Sequence, residues 1–123
     1  MSKDWKISVL LDVYGKMFLT EKQYKVVDLY YNADLSLSEI AQQEAITRQG
    51  VRDSIKRGEL TLLEAEDKLG FYKKQQETEK LLDAIRKSVN AVLEENRESI
   101  RSRTVEKQMQ WILTCVDQMD SEE

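Results

Sequence analysis

The stretch LSLSEIAQQEAITRQGVRDSIKR, Leu35 to Arg57, contains two helix-start signals eleven residues apart, at Ser36 and Thr47. Ser36 precedes Glu39 by three residues, the spacing at which hydroxyl and carboxylate cap each other's backbone amides, and Leu35 can close an apolar staple on Ile40. Thr47 repeats the start, with Ile46 stapling on Val51, so only two or three residues remain for the turn. Helices joined so closely must cross at a steep angle, and small Ala41 lets them approach. Ile40, Ala41, Ile46, Val51 and Ile55 then supply the small core of a helix-turn-helix. Arg48, Gln49, Arg52, Lys56 and Arg57 are left for its outer side.

Upstream, Ile7, Leu10, Leu11, Tyr14, Met17 and Phe18 recur at helical spacing and predict an amphipathic helix from Asp4 to Phe18, with Gly15 fraying or bending its end. Thr20 and Gln23 form a capping box, with Leu19 against Tyr24, and predict a second helix from Glu21 to Tyr31. Asn32-Ala33-Asp34 breaks it. Downstream, Val51, Ile55, Gly58, Leu62, Ala65 and Leu69 hold one stripe, so the helix begun at Thr47 continues to about Leu69. A bend or a close helix contact is expected at Gly58, and Gly70 serves as terminator. Leu82, Ile85, Val89 and Val92 mark one further helix, and Val105, Met109, Ile112, Val116 and Met119 another, joined between Asn96 and Thr104. The tail Asp120 to Glu123 is expected to fray.

Composition agrees with an all-α fold. Hydrophobic residues make up 41% and charged residues 34% of 123 residues, with no proline and four glycines. Cys115 is the single cysteine and cannot form an internal disulfide. With no charged and apolar leader pattern and no membrane-length apolar run, the expected compartment is the cytoplasm, without membrane insertion. The net charge of −4 is unevenly spread. Residues 1–60 carry nine basic and nine acidic residues, and residues 61–123 carry ten against fourteen. Thr47 to Arg57 stands out locally, with four basic residues and one acid.

Enzymatic chemistry finds little support. There is no histidine and no glycine-rich phosphate loop, which removes the commonest general base and metal ligand, so neither a catalytic site, a metal nor a cofactor is expected. Glu64 and Asp67 read as a solvated helix face, and Cys115 as a small, half-buried apolar residue.

With these motifs in view, the chain resembles region 4 of bacterial sigma factors and, more closely, the YlxM family of small helix-turn-helix proteins. The resemblance rests on LLDVYG (Leu10 to Gly15), LTEKQYKVVDLYY (Leu19 to Tyr31), LSLSEIA (Leu35 to Ala41), TRQ (Thr47 to Gln49) and IKR (Ile55 to Arg57), in that order and spacing. It covers about the first seventy residues. It implies an N-terminal unit of three or four helices, a DNA-binding role and a link to the signal recognition particle pathway. Two positions depart from the pattern: the turn reads Glu44-Ala45 instead of an apolar residue and glycine, and Gly50 stands where alanine is usual.

Arg48, Gln49 and Arg52 are therefore candidates for base edges, Lys56 and Arg57 for phosphates, and Ser36, Ser38 and Thr47 for hydroxyl or amide contacts to the backbone. The expected organisation is a helix-turn-helix domain over residues 1–70 and a helical extension over 71–123 for packing or oligomerisation. The expected partners are double-stranded DNA and a second copy of the chain. The alternative is a protein- or RNA-gripping accessory factor that engages signal recognition particle components.

Overall fold

Short polar side chains at the helix boundaries set the architecture. A computed structural model describes residues 1–121. It consists of α1 (Lys6–Phe18), α2 (Glu21–Tyr31), α3 (Leu37–Glu44), α4 (Arg48–Leu69), α5 (Phe71–Glu95), a π-helical turn (Asn96–Ile100) and α6 (Arg103–Ser121), with no strand among the described residues. The protein is all-α, with four helices in the N-terminal portion, the fourth of them long, and two more after it. Thr20 and Gln23 form the expected capping box on α2, and Ser36 and Glu39 form the one on α3. The Thr47 hydroxyl accepts from the Gly50 amide at 2.9 Å and starts α4. Gly70, at φ 63°, ends α4 in the left-handed conformation that glycine adopts without a Cβ penalty.

The chain divides into two compact units, Met1–Lys73 and the residues from Lys74 onward. In the first, Ile7, Leu10, Leu11 and Tyr14 of α1 meet Val26, Val27, Tyr30 and Tyr31 of α2, Ile40 and Ala41 of α3, and Val51, Ile55, Leu62 and Ala65 of α4 in one core. Each fully buried aliphatic side chain there contributes roughly 1.5–3 kcal/mol. The first helix ends at Phe18 as expected but starts two residues later than Asp4. It begins at Lys6, whose amide donates to Asp4 Oδ1 at 3.0 Å. Met17 and Phe18 are exposed, because the core-facing stripe stops at Tyr14 and Gly15. Gly15 does not fray the helix, which runs on to Phe18: a Cβ there would lie 2.8 Å from both Leu11 Cδ1 and Tyr24 Cε2, so its bare backbone lets α1 and α2 close.

The end of α4 is tied down by a half-buried knot. Tyr14 donates to Glu66 Oε1 at 2.6 Å and accepts from the Phe71 amide at 3.0 Å. Glu66 in turn accepts from the amides of Tyr72 and Lys73, each at 3.1 Å. A carboxylate from the preceding helix thus caps the first turn of α5, where the helix dipole favours negative charge.

In the second unit the α5 stripe is Leu82, Val89, Leu93 and Asn96, while the expected members Ile85 and Val92 are exposed. On α6 only Val116 is fully buried and Met119 is exposed. Arg86 of α5 pairs with Asp83, Asp117 and Asp120. That contact and the continuation of α6 to Ser121 overturn the expected fraying at Asp120 and Ser121; Glu122 and Glu123 lie outside the described residues. The join between the helices is organised by buried Asn96, whose side chain donates to the Ser102 carbonyl at 3.0 Å and accepts from its amide at 2.9 Å.

Candidate nucleic-acid interface

The turn between α3 and α4 spans Ala45, Ile46 and Thr47. Ala45 takes the left-handed conformation, φ 56° and ψ 42°, which most L-residues avoid. Ile40, Ala41, Val51 and Ile55 are buried beneath the turn, and Ile46 is half-buried against the same cluster. Across the motif, Lys25 of α2 pairs with Glu44 at 3.4 Å, which clasps the end of α3. Gly50 leaves room for the cap, since a Cβ there would come 3.1 Å from Thr47 Oγ1.

The structure brings the sequence-predicted residues to three places. Ser36 is the N-cap of α3, where its Oγ accepts from the Glu39 amide at 3.1 Å, and Ser38 is exposed in the first turn of that helix. Thr47 is the exposed N-cap of α4. Arg48, Gln49, Arg52, Lys56 and Arg57 are all exposed along the first three turns of α4. With roughly 100° per residue, Gln49, Asp53 and Lys56 lie opposite the buried stripe of Val51, Ile55, Gly58 and Leu62, with Arg48 and Arg52 on one flank and Arg57 on the other.

The cations on this face outnumber its acids and form no ion pairs among the described residues. Among the described residues no carboxylate forms an ion pair with Arg48, Arg52, Lys56 or Arg57; the ion pairs lie at Lys3, Lys25, Arg86 and Arg97. The two acids on this stretch of α4 are engaged by neutral donors. Asp53 Oδ1 accepts from Gln49 Nε2 at 3.0 Å, and Glu59 Oε1 accepts from the Tyr31 hydroxyl at 3.1 Å. Burial first, and then the neighbouring Glu59 charge and hydrogen bond, push the Tyr31 hydroxyl up to about 12, so it remains a donor to Glu59 at neutral pH. Because a carboxylate only accepts, the Gln49 amide must turn its NH2 toward Asp53 and its carbonyl oxygen away.

Sequence reasoning missed the flank facing α2. Thr20, Lys22 and Gln23 from the start of α2 and Ile46, Gly50, Asp53, Ser54 and Arg57 line an open groove of about 400 Å³. Arg57 belongs to this groove. Its i and i+3 relation to Ser54 was visible in the sequence, but the approach of the first turn of α2 was not.

Comparison with known proteins places these features in a family. The family model UPF0122, "Putative helix-turn-helix protein, YlxM / p13 like", matches residues 1–103. The match thus runs past Gly70, through α5 and the π-helical turn. A UPF0122 protein of Desulforamulus reducens is 48% identical over 86 residues, 69% of this chain and 73% of the relative. One of Clostridium kluyveri is 48% identical over 79 residues, 64% of this chain and 70% of the relative. One of Bacillus licheniformis is 42% identical over 87 residues, 71% of this chain and 80% of the relative. With a capped helix pair, a left-handed turn and a family match over most of its length, the chain belongs to the UPF0122 family of YlxM/p13-like helix-turn-helix proteins.

Proposed function

We propose that the protein is a non-enzymatic, cytoplasmic regulator that binds double-stranded DNA by placing the first three turns of α4 in the major groove. The observation that carries this reading is the set of four exposed cations on α4, none paired with a carboxylate, beside two acids already engaged by neutral donors. Arg48, Gln49 and Arg52 read base edges, Lys56 and Arg57 hold phosphates, and Ser36, Ser38 and Thr47 contact the backbone from the helix starts. Fluorescence anisotropy with mixed-sequence duplex DNA tests it. Replacing Arg48, Arg52 and Lys56 with alanine together should weaken binding on the order of a hundredfold or more at 0.1 M salt, since two base-edge contacts of about 1–3 kcal/mol each are lost and, with Lys56, one phosphate contact worth about 0.9 in the log-log salt slope. Equal binding by parent and triple variant would sink the proposal.

One observation favours a second reading, an accessory factor of the signal recognition particle that grips protein or RNA. Past the cations, Leu60 and Leu63 are exposed on α4, an apolar continuation that a DNA groove does not need. Capture from a bacterial lysate with and without nuclease separates the two. Nuclease-resistant retention of signal recognition particle protein, lost on Leu60→Glu, fits only the second reading.

A further inference from the structure

We infer that the groove between the first turn of α2 and the Ser54–Arg57 flank of α4 holds a backbone phosphate of the nucleic acid lying against α4, with Lys22 and Arg57 as its charged walls and the Ser54 hydroxyl as a donor. This rests on the nucleic-acid reading of α4 and extends it to a second helix. The groove has about 400 Å³ of space, enough for a phosphate and its ester oxygens, and it opens beside the exposed face of α4. Two of its lining residues are cations from different elements, and neither Lys22 nor Arg57 forms an ion pair among the described residues. The one carboxylate in the lining is Asp53, and its Oδ1 already accepts from Gln49. Glu21, the acid next to Lys22, lines a different hollow with Lys16, Leu19 and Tyr24. The groove therefore has a net positive lining, two cations against the single carboxylate of Asp53.

The placement gives α4 a contact on each side. Gln49, Asp53 and Lys56 lie outermost, with Arg48 and Arg52 on one flank, and the groove with Arg57 occupies the other, where a sugar-phosphate strand borders the major groove. A lysine on α2 that holds this strand would fix how far α4 rolls about its own axis, and its contribution would not depend on base sequence.

The test is a salt titration of duplex binding by the parent, Lys22→Ala, Lys22→Arg and Lys68→Ala. Lys22 is exposed in the first turn of α2, so its loss leaves the core untouched. Lys68, exposed in the last turn of α4, is the charge-matched control. Lys22→Ala should reduce the log-log salt slope by about 0.9 and weaken binding roughly five- to tenfold at 0.1 M salt, by the same factor on unrelated duplexes. Lys22→Arg should restore the slope. If Lys22→Ala matches Lys68→Ala while the parent still binds, the groove assignment fails and the reading of α4 stands; if the parent does not bind, both fall. Exchanging chloride for inorganic phosphate at equal ionic strength is a further arm. Displacement of DNA from the parent but not from Lys22→Ala supports the assignment, because free phosphate then competes where a backbone phosphate sits; equal displacement from both proteins would overturn it.

Discussion

Ala45 and Glu66 show what single residues do here. Ala45 holds the turn of the motif in the left-handed region, at a cost of roughly 1–2 kcal/mol that glycine would avoid. The flanking Ser36 and Thr47 caps and the buried Ile40, Val51 and Ile55 hold the backbone there. Glu66 works in the opposite direction, as a stabilising acceptor. Burial alone would raise its pKa, but hydrogen bonds from Tyr14 and from the amides of Tyr72 and Lys73 outweigh it and hold the carboxyl below its ordinary 4.5. A carboxyl depressed in the folded state contributes stability that is complete above its unfolded value and lost as pH falls through the folded one. Thermal melts should therefore fall below about pH 4.5, and Glu66→Gln should both lower the melting temperature at pH 7 and flatten that acid limb. An acid limb identical in the two proteins would show that the knot contributes nothing.

Helices follow from the sequence to the extent that their determinants are local. Thr20 with Gln23, Ser36 with Glu39, and Thr47 with Gly50 are partners three residues apart, so the starts of α2, α3 and α4 could be read directly. Ile40, Ala41, Val51 and Ile55 are buried in one cluster with Ile46 half-buried against it, because the short turn between the two capped helices brings their apolar faces together. Where a partner is distant, the reading ran out. Met17 and Phe18 have helical spacing but no opposing surface, and Ile85 and Val92 yielded to Leu93 and Asn96 because the path of α6 decides which stripe of α5 is covered. Lys22 could not be placed in the interface without knowing where the start of α2 lies against α4. Gly58 lies between these cases: its position was marked, but its purpose is a close approach. A Cβ there would lie 2.8 Å from Val27 Cγ2 and 3.8 Å from Leu19 Cδ1, so α2 and α4 pack backbone to side chain. Gly58→Val should destabilise the protein by about 1–3 kcal/mol by overpacking, read as a lower denaturant midpoint with unchanged slope. A neutral or stabilising result would mean that the two helices are not held at this separation.

Across the whole molecule, charge is unevenly distributed. The net positive face belongs to α4, while the chain as a whole carries −4. That acidity lies in the C-terminal half, whose helices leave Leu81, Ile85, Val92, Trp111 and Met119 exposed. We propose that a second copy covers these side chains, giving a homodimer with two α4 helices for two half-sites. Sedimentation at micromolar concentration should then report twice the 14.4 kDa chain mass, reduced to one chain by Trp111→Lys with Leu81→Lys. A monomer at every concentration would refute the dimer and leave the interface of α4 as described. That interface is tested most directly by amide NMR of the 15N-labelled protein titrated with duplex DNA at low salt. Shift changes concentrated on Arg48 to Arg57, with Lys22 beside them, are the result that the account predicts. No change there, or changes confined to α5 and α6, would contradict it.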